Sequence, residues 1–199
     1  MIRNRSILWL VLLIVGLSIV LVYAVSASPV HQAAEGMMLE YDIAEKGTRF
    51  VGDETPLHDD GLPAYGNEFI TEGYLYPVGT LNGTNGVLDN GDPEFPDQVL
   101  GTWTCRGWHV GDGAHTQTGP VVVTTQIFDI GETPGSAMIV TDGFELADMN
   151  TPFLRAITGG SGEYVNAGGE QEQEVLGFDE SPFGINLRVR LHVMMDADM

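Results

Sequence analysis

The chain has 199 residues, of which 43% are hydrophobic, and its 26 glycines and 10 prolines predict many turns. This length and composition favour one domain with a sizeable core, built from β-strands rather than helices. There are 28 acidic and 8 basic residues, a net charge of −20 at pH 7, and nucleic acid and anionic lipid surfaces are excluded as partners because they would repel such a chain. An acidic surface with a single lysine, Lys46, also suits high salt, where self-repulsion is screened.

The N-terminal segment indicates export. Arg3 and Arg5 precede an apolar run at residues 7–25, and residues 25–27 offer the small side chains of a cleavage site. The run is also long enough to span a bilayer, so residues 1–27 are either a signal peptide or a membrane anchor helix. The domain is therefore expected outside the cell, secreted or anchored. The sole cysteine, Cys105, allows no internal disulfide.

Strand signals dominate the rest of the chain. Residues 28–66 are predicted to be mostly irregular, with one strand at 37–43, and the β-rich domain is predicted at 67–195. Within that domain the clearest runs of β-branched, aromatic and alternating residues are 69–78, 100–110, 120–130, 136–141 and 185–193. Asp142 and Gly143 predict a turn after the fourth of these runs. The acidic loops show no metal-ligand spacing, so neither a metal nor a cofactor is predicted.

The strand at 100–110 can be divided by face because side chains alternate along a strand. Trp103, Cys105 and His109 share one side, and the other side carries Thr102, Thr104, Arg106 and Trp108. In a small barrel one tryptophan is expected inside and the other outside. Cys105 and His109 lie too far apart along the strand for a nucleophile pair, which favours a buried, apolar role for the cysteine.

Residues 170–175 have no apolar face. Glu170, Glu172 and Glu174 alternate with Gln171 and Gln173. An exposed edge or surface strand is the favoured interpretation, and a strand facing a partly polar cavity is the alternative.

The last strand has one apolar and one polar face, with Ile185, Leu187, Val189, Leu191 and Val193 on the core side. On the other side Arg188 and Arg190 are expected to pair with neighbouring carboxylates, such as the glutamates of residues 170–174. An arginine pair that binds an anionic substrate is the alternative.

A glycine-rich segment at 156–169 connects two strand-like runs and predicts a hairpin, since glycine permits sharp chain reversal. Its motif A-I-T-G-G-S-G contains Gly159, Gly160 and Gly162, and Tyr164 follows. The segment resembles that of plant allene oxide cyclases and, more distantly, the G-G-T-G-x-F-x-x-A-R-G motif of dirigent proteins. The resemblance implies an all-β fold, a small closed antiparallel eight-stranded barrel with a hydrophobic cavity.

The resemblance also implies a hydrophobic small-molecule ligand and, as in allene oxide cyclases, isomerisation or ring closure steered by cavity shape. The family's glutamate in a Y-E-I-N-E context corresponds to Asp42 in Y-D-I-A-E, which makes Asp42 a catalytic candidate, although alanine replaces the asparagine. Glu72 is a second candidate that faces either the cavity or the solvent. The candidate ligand-binding residues are Trp103, Cys105 and Phe128.

Two functions therefore stay open. One is an exported barrel that binds a hydrophobic molecule, with or without isomerase or cyclase activity. The other is a non-catalytic, dirigent-like binding or structural module at the cell surface. A carboxylate projecting into an apolar cavity would favour the enzyme, whereas a cavity filled by Trp103 or Trp108 would count against ligand binding. Members of these families often associate, so the resemblance also implies a homo-oligomer.

Overall fold

The computed structural model describes residues 35–180 and 183–195, which form mostly β-structure. The described part contains nine strands: β1 (Glu35–Glu45), β2 (Val51–Gly52), β3 (Glu68–Pro77), β4 (Gly101–His109), β5 (Pro120–Asp129), β6 (Met138–Leu146), β7 (Phe153–Ser161), β8 (Ala167–Glu180) and β9 (Phe183–Met195). Single turns of 3-10 helix occur at Gly47–Arg49, Pro96–Gln98, Gly113–His115 and Gly162–Tyr164.

Eight of these strands close into an antiparallel barrel. The sheet runs β1-β9-β8-β7-β6-β5-β4-β3, and β1 also pairs with β3, which joins the two ends. The two-residue strand β2 pairs with β3 outside the closed ring. The all-β eight-stranded barrel predicted from the sequence is confirmed, while the N-terminal signal or anchor helix lies outside the described residues.

The barrel begins at Glu35, within the stretch 28–66 that is predicted from the sequence to be mostly irregular. Strand β1 includes the predicted strand at 37–43, and its Tyr41 and Ile43 point into the core. The pairing of β1 with both β3 and β9 closes the ring. The start of the barrel therefore moves from residue 67 to Glu35.

The alternation of β9 is confirmed. Leu187, Val189, Leu191 and Val193 are completely buried inside the barrel. On the outer face Arg188 pairs with Asp42 and Arg190 with Glu40 and Glu172, so both arginines join neighbouring strands by cross-strand ion pairs.

The glycine segment forms the predicted connection between β7 and β8. Gly160 lies so close to the chain that a Cβ there would be 2.4 Å from the Tyr164 carbonyl oxygen and 2.6 Å from that of Met138. Gly162 has φ +63°, a conformation that favours glycine. The two glycines thus serve the close packing of the β7–β8 connection against β6.

The turn predicted at Asp142 and Gly143 is wrong, because β6 continues to Leu146. The Asp142 carboxylate accepts hydrogen bonds from Thr125 on β5 and Thr158 on β7, so it ties three strands together. Gly143 leaves room for the Arg155 side chain, because a Cβ at residue 143 would lie 3.3 Å from Cβ and Cγ of Arg155.

A long loop at residues 78–100 covers part of the outside of the barrel. Leu81 and Val87 from this loop pack with Ala44 and Tyr76 in a second, smaller core. In the described residues no helix is long and apolar enough to cross a membrane.

Candidate ligand site inside the barrel

The lower interior of the barrel, at the end where β4 begins, is an apolar layer. Trp103, Phe128 and Ile139 lie opposite one another on β4, β5 and β6, and each is at most 2% exposed. Trp108 lies on the other side of β4 and is 48% exposed. The prediction of one inward and one outward tryptophan is confirmed, and Trp103 fills part of the barrel interior.

A polar layer lies directly above the apolar one. Thr71, Cys105, Gln126 and Thr141 are consecutive cross-strand neighbours on β3 to β6, and all four are buried. Hydroxyl, thiol and amide groups therefore follow the inner wall through four adjacent strands.

Strand β8 contributes Gln171 and Gln173 to the same region. The Gln171 amide donates to the Gln126 side-chain oxygen at 2.9 Å, and the Gln126 amide donates to that of Gln173 at 2.9 Å. Both β8 glutamines are completely buried. The favoured prediction of an edge or surface strand is wrong, because β7 and β9 flank β8 and its glutamine face lines the barrel interior.

Glu145 is the acceptor at the centre of this network. Its Oε1 accepts from the Thr124 hydroxyl at 2.6 Å and from the Gln126 amide at 3.1 Å, and its Oε2 accepts from the Gln173 amide at 2.8 Å. The Cys105 Sγ lies 3.6 Å from Oε1. Several donors therefore converge on one carboxylate.

Arg155 supplies the balancing positive charge. Its Nη1 is 3.6 Å from Glu145 Oε1, and the Arg155 side chain is completely buried. The guanidinium also donates to three backbone carbonyl oxygens, those of Thr124, Gly143 and Phe144. The barrel thus contains one buried ion pair held by hydrogen bonds on both sides.

Five interior polar atoms have no hydrogen-bond partner among the described residues. They are Thr71 Oγ1, Trp103 Nε1, Thr141 Oγ1, Arg155 Nε and Gln171 Oε1. The indole and the guanidinium can only donate, the amide oxygen can only accept and the two hydroxyls can do both. Because a buried unpaired polar group costs about 1–3 kcal/mol, these atoms are suited to hydrogen-bond a molecule that enters the barrel.

Aromatic rings close the end of the barrel nearest Glu145. His109 belongs to the same cross-strand layer as Glu145, and its ring centre is 5.3 Å from that of Phe69. Phe50, just before β2, stacks on Phe69 at 5.5 Å. Burial lowers the pKa of His109, although a hydrogen bond with the Asn67 backbone partly opposes this effect.

The predicted catalytic carboxylates lie outside the barrel. Asp42 is completely buried on the outer face of β1, where it accepts the backbone N–H groups of Gly79 and Leu81 and pairs with Arg188 at 2.8 Å. It therefore fastens the loop at 78–100 to the barrel wall. Its catalytic role stays a prediction with no geometric support in the interior.

Glu72 points outward from β3 and pairs with Arg49 at 3.2 Å and with Lys46 at 3.8 Å. The Arg49 guanidinium lowers the pKa of this carboxyl group. Of its two expected orientations, the outward one is observed, and the buried carboxylates on the inner wall belong to Glu145 and Glu45 instead.

The three predicted ligand-binding residues, Trp103, Cys105 and Phe128, all face the interior. Burial raises the pKa of the Cys105 thiol well above its ordinary value, which disfavours the thiolate needed for nucleophilic catalysis. The motif residues Gly159, Gly160, Gly162 and Tyr164 belong to the β7–β8 connection, where they shape the backbone.

Glu145 and Arg155 are absent from the sequence-based site. Glu145 follows the wrongly assigned turn, and Arg155 precedes the glycine motif without an alternating pattern of its own. Gln126 could have been found, since it shares a face of β5 with Val122 and Phe128.

No group of three or more histidine, cysteine or acidic side chains in the described part of the chain is arranged to hold a metal ion. In the acidic loop, Glu94 instead accepts hydrogen bonds from the Thr84 hydroxyl and the Gly86 backbone. Its carboxylate thus organises the loop itself.

No protein-family model matches the sequence, and no curated protein matches it. Among solved structures, the pterocarpan synthase dirigent protein PsPTS1 has a TM-score of 0.58 at 14% identity, over 84% of this chain and 99% of that chain. The related protein GePTS1 has a TM-score of 0.53 at 16% identity, over 85% and 96%. A pyocyanin demethylase has a TM-score of 0.50 at 15% identity, over 79% and 100%. These structural similarities show a shared fold, the eight-stranded barrel of dirigent proteins, and confirm the resemblance at the level of the fold alone.

Proposed function

We propose that this chain is an exported barrel protein that binds a largely apolar small molecule carrying hydrogen-bonding substituents. The observation that carries the proposal is the set of five unpartnered polar atoms inside the barrel, on Thr71, Trp103, Thr141, Arg155 and Gln171. A ligand with one acceptor and one donor group could satisfy the indole and the amide oxygen, while its apolar body packs on the layer of Trp103 and Phe128.

The charge of the interior disfavours an anionic ligand. Arg155 is already paired with Glu145, and Glu45 is a further buried acidic residue on the inner face of β1. A ligand carboxylate would therefore be desolvated without a cation of its own, which is unfavourable.

Catalysis at this site would take the form of isomerisation or cyclisation. The enclosed shape would restrict the ligand conformation, and the Glu145 carboxylate would stabilise positive charge or accept a proton as the ligand reacts. The names of the structural neighbours denote a synthase and a demethylase, which supports a barrel able to host chemistry. Because the sequence identities are low, the substrates of those proteins are not assigned to this chain.

A specific observation favours the second candidate, a non-catalytic structural module. Trp103 and Phe128 are 2% and 0% exposed, so side chains of the protein itself occupy the lower interior. In this function the buried network serves stability alone.

Native mass spectrometry of the full chain, incubated at high salt with a lipid extract of its host, tests the proposal. We expect a retained small molecule, and we expect Thr141→Val to reduce its occupancy because Thr141 Oγ1 is a proposed contact. The control is Thr104→Val, a partly exposed threonine on the outer face of β4. Wild-type protein that emerges without a ligand from every extract would favour the structural module.

Export is a proposal that rests on residues 1–27. The intact mass of the protein recovered from its host tests it. Loss of residues 1–27 would show a cleaved signal peptide, and a full-length chain in the membrane fraction would show an anchor. A full-length chain in the cell interior would refute export.

A further inference from the structure

The outer surface of the barrel carries an apolar stripe that the ligand site does not use. Trp108 on β4, Val123 on β5 and Phe144 on β6 are consecutive cross-strand neighbours on the outer face. Ile70 on β3 and Val51 on β2 face each other two residues further along the strands and continue the stripe there. The stripe therefore crosses five neighbouring strands.

These side chains are large and open to solvent. The exposed fractions are 48% for Trp108, 53% for Phe144, 47% for Ile70 and 63% for Val51. Contiguous exposed apolar surface of this kind is typical of interaction sites. Trp108 and its neighbour Arg106, both on the outer face of β4, belong to the residue types that contribute most to binding energy in protein interfaces.

Two charged residues lie within the stripe. Arg106 is the direct cross-strand neighbour of Ile70, and Glu68 is that of Trp108. Among the described lysines and arginines, Arg106 is the one to which the structure gives no carboxylate partner, while Lys46, Arg49, Arg155, Arg188 and Arg190 are all paired. The Glu68 carboxylate also has no partner within the described part of the chain.

We propose that this surface, the outer face of β2 to β6 around Trp108, binds a second copy of the chain in a two-fold symmetric dimer. Glu68 and Arg106 occupy diagonal positions on two adjacent strands, about 7–8 Å apart at their Cα atoms. A two-fold axis between them places Arg106 of each copy against Glu68 of the other. The same axis brings Trp108 and Ile70, on the opposite diagonal, close to their counterparts.

Charge complementarity selects a second copy as the occupant. The chain has a net charge of −20, so two copies repel each other over most of their surfaces. This stripe is different, because its one arginine and one glutamate cancel and its other members are apolar. It is self-complementary, as a two-fold interface requires.

Charge-swap variants test the dimer. The full chain is studied by sedimentation equilibrium in a mild, density-matched non-ionic detergent, so that residues 1–34 do not drive association. We expect a reversible monomer–dimer equilibrium at about 0.15 M salt. Arg106→Glu and Glu68→Arg should each raise the dissociation constant at least about tenfold, and the double variant should return to within about threefold of the wild type.

The two single variants also separate a specific interface from general repulsion. Arg106→Glu makes the net charge two units more negative, whereas Glu68→Arg makes it two units less negative. If only net charge mattered, Glu68→Arg would strengthen association, but the proposed ion pair requires that both variants weaken it. The double variant has the wild-type net charge.

Trp108→Ala should also weaken the dimer at least about tenfold, since the indole lies near the axis. Its control is Met194→Ala on β9, which removes an equally exposed apolar side chain outside the stripe. A wild-type chain that stays monomeric up to about 1 mM would overturn the proposal and leave the stripe to a different protein. A tighter Glu68→Arg dimer, or a double variant that fails to recover, would also overturn it.

Discussion

Replacing Arg155 by methionine tests whether the buried ion pair stabilises the barrel. The guanidinium is completely buried, 3.6 Å from the Glu145 carboxylate, and it donates to three carbonyl oxygens. Methionine fills similar space but leaves the buried carboxylate without its cation. Removing one partner of such a pair typically costs about 3–5 kcal/mol. In a chain of this size each kcal/mol lowers the melting temperature by about 2–4 °C, so we expect a loss of about 6–20 °C.

Equilibrium urea unfolding, followed by tryptophan fluorescence, measures this loss of free energy, and thermal unfolding measures the change in melting temperature. Adding Glu145→Gln to Arg155→Met removes the stranded charge, so the double variant should recover part of the stability. Arg49→Met, which removes an exposed arginine, should leave the unfolding midpoint almost unchanged.

A loss of less than about 1 kcal/mol in Arg155→Met would refute a stabilising buried ion pair, since solvent would then reach the carboxylate. A double variant no more stable than the single one would also refute it. In that case the lost hydrogen bonds of the guanidinium, rather than the unpaired charge, would explain the effect.

Three further predictions concern other parts of the barrel. Burial lowers the pKa of His109, so its imidazole takes up a proton more readily in the unfolded chain than in the folded one. The free energy of unfolding should therefore fall as the pH drops below about 6.5. His109→Phe should reduce this loss in urea unfolding between about pH 7 and about pH 5, and parallel curves for variant and wild type would contradict it. Gly160→Ala should cost about 1–3 kcal/mol because the new Cβ meets two carbonyl oxygens, whereas Gly168→Ala, with open space around it, should be nearly neutral. Cys105, whose thiol pKa is raised by burial, should react with a thiol reagent at about pH 8 only in denaturant, and rapid labelling of the native chain would show that the interior is open.

Much of the strand pattern was predictable from the sequence. The alternation of β9, the inward Trp103 with the outward Trp108, and the glycine connection before β8 all agree with the structure. Each depends on local rules, because side chains alternate along a strand and glycine permits close backbone approach. The candidate site was less predictable. Trp103 could be placed in the interior, but Glu145 could not, since its position followed a turn that does not form.

The amino-acid sequence by itself determined which residues share a face of each strand. Only the tertiary structure decided which of the polar faces are buried inside the barrel. Gln171 and Gln173 illustrate the difference, because their alternation with glutamates is the same for a surface strand and for a barrel wall. Closure of β1 onto β3 places the glutamines inside, where Gln126 and Glu145 satisfy most of their hydrogen bonds. A buried polar face is stable only when partners from distant strands meet it, and sequence periodicity contains no information about those partners.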